Sequence, residues 1–313
     1  MSRRRHLISL GDLSRAEIAQ IAERGRDYAV GAADPTGRLE GRVVGIYFRY
    51  TSTRTRTAFS AGSLRLGARI VAYGPHDLQE NTGESIEDTA RVLSSMLDAL
   101  VARTAGSDEE MRILSSQSRM SVVNAMSSAE HPTQALADLT TLLQHFGSVE
   151  GLSVLYLGEG NNTASALALA LSQFKGAELH LRTPPGYGLA GAMLASAQKR
   201  AAIAGALIDE RHDLESLPAA VNAIYTTRWQ TTGTSKPDPN WRKVFDPFQV
   251  DMRLTERYPG AVFMHDLPAH RGEEVTAAVL DGPRSIAFRQ AENKLYSAMA
   301  VLEWCVSGEV NTD

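Results

Sequence analysis

Hydroxyls and guanidiniums crowd one junction of this chain, Ser52-Thr53-Arg54-Thr55-Arg56-Thr57. The apolar run before it, Val43-Val44-Gly45-Ile46-Tyr47-Phe48, reads as a buried strand, and 58–66 after it reads as a helix. The cluster therefore stands where a helix begins. A helix N-terminus carries partial positive charge and N–H groups without helical partners. Arginine adds forked, charge-assisted hydrogen bonds. Such a junction suits a phosphate; a capped surface helix with two solvated arginines is the bland alternative.

Polar groups recur where other apolar runs end. Arg103-Thr104 follows Leu100-Val101-Ala102, and His131-Pro132-Thr133-Gln134 follows 122–126 and opens a helix. Gly158-Glu159-Gly160-Asn161-Asn162 follows 152–157. Thr227-Arg228-Trp229-Gln230 and His265-Asp266-Leu267-Pro268 close two later runs. In parallel sheets, ligands bind beyond the carboxyl ends of the strands. Six such clusters in two series of elements point to a cleft between two domains.

The elements that must carry these groups alternate. Strands are expected at 43–48, 68–73, 99–102, 121–125, 152–157, 177–181, 222–226 and 261–265, and helices at 85–96, 131–146, 163–174 and 291–304. Leu136, Leu139, Leu142 and Leu143 give the 131–146 segment a helical stripe. Alternation of this kind implies parallel sheets covered on both faces. The expected fold is α/β: two doubly wound parallel-sheet domains, joined near 147–151, with the active site in the cleft between them. Segments 183–188 and 231–240, rich in Gly, Pro and Thr, read as loops, the second either a mobile lid or a surface loop.

A chain of 313 residues has room for two such domains. A net charge of −4, from 36 acidic and 32 basic side chains, argues against a general nucleic-acid binder. Lone Cys305 excludes an intramolecular disulfide and argues against a cysteine-based metal site. No apolar run reaches membrane-spanning length, and the basic start Met1-Ser2-Arg3-Arg4-Arg5-His6 lacks the long apolar stretch of a secretory signal. A cytoplasmic enzyme with no membrane partner is the expectation.

Taken together, the segments resemble the aspartate/ornithine carbamoyltransferase family. Ser52-Thr53-Arg54-Thr55-Arg56 matches its carbamoyl-phosphate signature, and Leu100-Val101-Ala102-Arg103 a strand ending in a phosphate-binding arginine. Gly83-Glu84-Ser85-Ile86-Glu87-Asp88-Thr89-Ala90-Arg91-Val92-Leu93 is similar to a segment of the ornithine enzymes. His131-Pro132-Thr133-Gln134 matches the His-Pro-x-Gln motif, and Gly158-Glu159-Gly160-Asn161-Asn162 is similar to Gly-Asp-Gly-Asn-Asn. His265-Asp266-Leu267-Pro268-Ala269-His270-Arg271-Gly272-Glu273-Glu274-Val275 matches the late motif of the ornithine enzymes apart from one residue.

The resemblance implies transfer of a carbamoyl group from carbamoyl phosphate to an amine, with release of phosphate and formation of a ureido product, and no metal or organic cofactor. It assigns 1–147 to a carbamoyl-phosphate-binding domain completed by a C-terminal helix at 290–313, and 148–289 to an acceptor-binding domain. Ser52, Thr53, Arg54, Thr55 and Arg103 would hold the phosphate. Thr55, Arg103 and His131 would face the carbonyl oxygen as an oxyanion hole, while Gln134 and the backbone carbonyl of Leu267 would hold the carbamoyl NH₂. The departing phosphate can take the amine's proton, so no protein base is required. The family also implies a homotrimer with active sites at subunit boundaries, where Gln79 would reach a neighbour's phosphate. Arg56 fits support of the domain interface or of its own loop rather than contact with phosphate.

Departures from the family pattern gather on the acceptor side, where Asn162, Thr227, Arg228, Gln230, Thr231 and Asp266 are the candidate contacts. Asp266 stands where ornithine enzymes carry cysteine; it could pair with an ammonium, orient the nucleophile or cap its turn. Thr227 replaces an aspartate that holds the acceptor's α-amino group, and Thr231-Thr232 replaces Ser-Met. Arg228 and Gln230 resemble the aspartate-type enzymes. Lys294 stands where arginine is usual near the carbamoyl group and keeps the charge without the fork. These changes make the acceptor either an ornithine-like or other diamino acid or, as in antibiotic-tailoring relatives, an amine such as a peptide-embedded diaminopropionate. Two rival classes remain: a silent carbamoyl-phosphate-binding paralogue, and a nicotinamide enzyme. The latter is disfavoured because Thr163 takes the third glycine position and no acidic residue ends the second strand.

Overall fold

The protein, seen in a computed structural model, is described over residues 4–231 and 233–307. Met1-Ser2-Arg3 of the basic start, Thr232 and residues 308–313 of the expected last helix lie outside the described residues. The chain divides into two compact units, Met1–His145 with Glu292–Asp313, and Phe146–Ala291.

In the first unit, β1 (Val43–Phe48), β2 (Arg69–Tyr73), β3 (Ala99–Arg103) and β4 (Ser121–Met126) form a parallel sheet in the order β2-β1-β3-β4. The chain runs one way from β1 to β2 and the other way from β3 to β4, so the order reverses between β1 and β3. A crevice for ligand belongs at such a reversal. Register places Phe48 opposite Arg103, level with the turn that follows β1. Both β3 and β4 are buried along their whole length, β3 as a central parallel strand and β4 as an edge strand that Leu7 bridges at Val123. Helices α1 (Arg15–Ala29), α2 (Arg54–Arg65), α3 (Ile86–Leu93), α4 (Asp108–Leu114) and α5 (Pro132–Phe146) belong to this unit, α5 by all but its last residue. Tyr47, Leu93, Leu100, Met111 and Val122 meet in its core. Burying each large side chain contributes about 2 kcal/mol.

In the second unit, β5 (Ser153–Leu157), β6 (Glu178–Arg182), β7 (Leu207–Arg211), β8 (Ala223–Thr226) and β9 (Val262–His265) form a parallel sheet in the order β7-β6-β5-β8-β9. Here the reversal falls between β5 and β8. Its helices are α6 (Asn162–Leu171), α7 (Gly191–Ala204), α8 (Arg242–Phe245), α9 (Met252–Arg257) and α10 (Ala277–Leu280). The last helix, α11 (Ala287–Ser307), starts in this unit and continues into the first from Glu292. It begins four residues before the expected 291. Among the described residues, no helix is long and apolar enough to cross a membrane.

Candidate active site

The first group of site residues is built at the carboxyl ends of β1, β3 and β4. Thr53 is the N-cap of α2, yet its side chain makes no capping bond, whereas Ser85 caps α3 and Ser107 caps α4. The Thr53 hydroxyl thus does not compete with an anion for the α2 N-terminus, which Arg54 opens. Ser52 and Arg54 are half-buried, Thr53 is exposed, and Thr55 is buried. Arg103, at the end of β3, is buried, and its Nη1 lies 3.4 Å from both Thr55 Oγ1 and His131 Nε2. Guanidinium only donates, so Nε2 accepts and the ring proton sits on Nδ1, 3.3 Å from Thr133 Oγ1. His131 titrates well below its ordinary value because burial and the charges of Arg103 and Lys294 all oppose protonation. It is a neutral imidazole at neutral pH.

Gln134 lies on the first turn of α5 and is held at both ends. Its Nε2 donates to Asp138 Oδ1 at 2.7 Å, and its Oε1 accepts from Lys294 Nζ of α11. This fixes the amide orientation and leaves Oε1 one further lone pair. Thr55, His131, Thr133 and Lys294 line one small recess with Phe59 and Ala298. Arg56 turns away to its own strand: its Nη2 donates to the Phe48 carbonyl at 3.3 Å and its guanidinium lies 5.2 Å from the Phe48 ring centre. Gln79 is exposed, and its Oε1 accepts from the Thr82 hydroxyl at 2.7 Å.

The second group belongs to the other unit and gathers around Asp266, just past β9. Asp266 Oδ1 accepts from Thr227 Oγ1 at 2.9 Å, and Oδ2 from Thr163 Oγ1 at 3.0 Å. His265 Nδ1 is 3.5 Å from Asp266 but accepts the Leu267 N–H at 2.8 Å, while Nε2 lies 3.1 Å from buried Glu274. The proton therefore sits on Nε2, and the His265–Asp266 approach is not an ion pair. Asp266 thus does more than cap a turn: it links the ends of β8 and β9 to the start of α6. Leu267 has φ 51 and is followed by a cis peptide to Pro268. A left-handed leucine is an uncommon conformation of the kind that concentrates at functional sites.

Asn161 caps α6 through Thr163 and Ala164 N–H groups, and Asn162, the first residue of α6, is buried. Gly160 is required by packing: a Cβ there would stand 2.4 Å from the Gly188 backbone. Arg228 Nε donates to the Gln230 carbonyl at 2.6 Å, and Gln230 Nε2 to the Thr234 carbonyl at 2.8 Å. Thr231 Oγ1 donates to Glu159 Oε2 at 2.9 Å. Sequence reasoning passed over Thr133, Asp138, Thr163, Glu159 and Lys236. Thr133 and Glu159 entered only as members of their motifs, and Thr163 as the residue in a third glycine position at a helix start.

Two parallel-sheet units, each with polar side chains at its strand reversal, define a two-domain α/β protein, and comparisons with known proteins give its class. Residues 5–144 match the model of the aspartate/ornithine carbamoyltransferase carbamoyl-P binding domain, and residues 150–305 that of the Asp/Orn binding domain. The ornithine carbamoyltransferase of Symbiobacterium thermophilum is 39% identical over 301 residues, covering 95% of this chain and 96% of that protein. The solved structure of ornithine carbamoyltransferase from Pyrococcus furiosus superposes with a TM-score of 0.91 at 36% identity, covering 99% of both chains. That from Gloeobacter violaceus gives 0.86 at 31% identity, covering 98% of this chain and all of the other. The chain belongs to the aspartate/ornithine carbamoyltransferase family and is a carbamoyltransferase.

Proposed function

We propose that the protein moves the carbamoyl group of carbamoyl phosphate to a primary amine of an ornithine-type diamino acid. The observation that carries this reading is the Arg103 guanidinium set against the Thr55 hydroxyl and the neutral His131 imidazole, beside the uncapped start of α2. In this reading the first unit, with α11, holds the donor. Ser52, Thr53, Arg54, Thr55 and Arg103 take the phosphate; Thr55, Arg103 and His131 take the oxyanion. The spare lone pair of Gln134 and the Leu267 carbonyl take the carbamoyl NH₂, and Lys294 acts by holding Gln134. Because His131 is neutral, it adds no second full charge beside Arg103; once the oxyanion takes up the Arg103 guanidinium, the tautomer with its proton on Nε2 turns an N–H toward the oxyanion. The amine lone pair attacks the carbonyl carbon, the bond to the phosphate oxygen breaks, and phosphate leaves with the proton. Acceleration comes from fixed donors and positioning.

The acceptor belongs to the second unit in this reading, with Asn162, Thr227, Arg228, Gln230, Thr231 and Asp266 around it. A carboxylate absent at position 227 is supplied from position 266: Asp266 touches the Thr227 hydroxyl. An acceptor's α-ammonium thus finds a negative partner, which favours an ornithine-type substrate over an amine lacking one. A homotrimer belongs to the same reading, with Gln79 donating its NH₂ to a neighbour's phosphate, since its amide oxygen is already taken by Thr82.

The test is amine-dependent phosphate release from carbamoyl phosphate, with the product identified by mass. Ornithine, N-acetylornithine, putrescine, aspartate and 2,3-diaminopropionate, free and in peptides, form the panel. Release with an amine bearing an α-ammonium, and a product heavier by one carbamoyl group, is expected. Binding of carbamoyl phosphate with no turnover of any amine would overturn the reading.

A further inference from the structure

Lys236 lies outside the groups assigned so far. Lys236 follows β8 in the chain, and its side chain is 4% exposed. Its ammonium pairs with Glu159 Oε1 and lies 4.9 Å from the ring centre of Tyr187 and 5.2 Å from those of Trp241 and Phe245. The rings brace one another, Tyr187 to Phe245 at 4.8 Å and Trp241 edge-on to Phe245 at 5.3 Å. A carboxylate with three aromatic faces is the chemistry that recognises an ammonium. Burying a lysine head group is costly unless it is paired in this way.

The cage joins two segments that carry acceptor-side residues. Glu159 sits in the turn between β5 and α6, held there by Gly160, whose N–H donates to the Tyr187 carbonyl at 2.7 Å. While Oε1 takes Lys236, Oε2 takes the Thr231 hydroxyl at 2.9 Å. The Thr234 hydroxyl donates back to the Thr231 carbonyl at 2.8 Å. Asp266 joins the same turn and the same loop nearer their roots, through Thr163 and Thr227. Electrostatically the two carboxylates differ. Glu159 is matched by a lysine, whereas among the described residues Asp266 accepts from the Thr163 and Thr227 hydroxyls and has no lysine or arginine partner, which leaves its charge to an acceptor in the proposed reading.

We infer that Lys236 is a positioning residue of the acceptor half-site: seated in the cage of Glu159, Tyr187, Trp241 and Phe245, it fastens the loop bearing Thr231 to the turn that opens α6. It also withholds Glu159 from the acceptor, so that Asp266 alone of this pair receives the acceptor's ammonium. Only the kinetic arm of the test below rests on the proposed function.

The experiment compares wild type, Lys236→Ala and the double variant Lys236→Ala/Glu159→Gln by amide hydrogen exchange over 233–240, without carbamoyl phosphate. Exchange in Lys236→Ala should rise at least 10-fold. Millimolar ethylammonium, which has the chemistry of the missing head group, should restore protection, whereas neutral n-propanol should not. The double variant should not respond to ethylammonium. In the kinetic arm, Lys236→Ala should raise the acceptor KM about 10-fold or more and leave the carbamoyl phosphate KM within 2-fold. Unchanged exchange in Lys236→Ala, equal rescue by n-propanol, or rescue that persists without the Glu159 charge would overturn the inference. Absence of transfer by the wild type would count against the proposed function alone, and the exchange result would still decide the role of Lys236.

Discussion

The two half-sites stand on similar scaffolds, parallel sheets with a reversal of strand order, and yet solve opposite electrostatic problems. The first collects positive charge: Arg103, Lys294 and the start of α2 surround a neutral histidine. The second collects carboxylates: Asp266 is held by two hydroxyls, and Glu159 is matched by Lys236. A dianionic phosphate and an ammonium-bearing amine would sort between them by charge alone. The first arrangement keeps the family motifs residue for residue, apart from Lys294. The second rearranges them, moving a carboxylate from the end of β8 to the end of β9. In the proposed reading, donor recognition keeps the family pattern and acceptor recognition departs from it.

The largest effect that would break this comparison comes from Arg103→Ala. Loss of one oxyanion donor typically costs 10²–10³-fold, and in the proposed reading Arg103 also serves the phosphate, so kcat/KM should fall about 10³-fold or more for every acceptor, measured by phosphate release. A loss confined to some acceptors would erase the division of labour. Next comes a stability effect on the donor side. Glu130, adjoining His131, is pushed up to about 7 by burial, while its Oε1 accepts the Leu10 N–H at 2.8 Å. A carboxyl raised in the fold from 4.5 to about 7 favours folding fully below its unfolded value. That contribution is lost as pH rises through this window, by about 3 kcal/mol in all. Glu130→Gln should therefore gain stability relative to wild type between these pH values and stay level above them, in denaturant titrations. A constant difference across pH would show that Glu130 does not titrate there.

On the acceptor side, Asp266→Asn keeps the shape and removes the charge. The kcat/KM for an acceptor with an α-ammonium should fall about 10²-fold, the worth of a charge-assisted bond, with the KM for carbamoyl phosphate unchanged. Thr227→Asp, adding a second carboxylate beside the first, should change the ranking of acceptors rather than abolish turnover. The smallest effect belongs to Lys294→Met, which removes the partner of Gln134 Oε1 without emptying its place in α11. About 10-fold loss in kcat is expected for all acceptors alike, and a change of acceptor ranking would move Lys294 to the other half-site.

Local patterns made most of the donor side legible. The leucine stripe of α5, the buried run of β3 and the polar residues after β1 each lie within a dozen residues of chain. Other elements escaped. Strand β7 is an edge strand, Leu207–Arg211, with charged residues and one buried side chain, so neither alternation nor an apolar run marks it. Helix α7 carries a weak stripe and buries only Ala197 and Ala201. Helix α1 was readable and was missed: Ser14 and Glu17 form a capping box at its start. The Lys236 cage was not readable, since its partner Glu159 lies 77 positions away and its rings come from two further segments. Nor does spacing tell that Asp266 meets Thr227 and Thr163, because β8 and β9 become neighbours only in the sheet.

The most direct test of the central claim is a side-by-side measurement of carbamoyl transfer by wild type, Arg103→Ala and Asp266→Asn across the amine panel at saturating and limiting carbamoyl phosphate. The account predicts wild-type turnover of an ornithine-type amine, uniform loss in Arg103→Ala, and loss in Asp266→Asn that depends on the acceptor's ammonium and spares the donor KM. Identical profiles for the two variants, with donor KM raised in both, would contradict it.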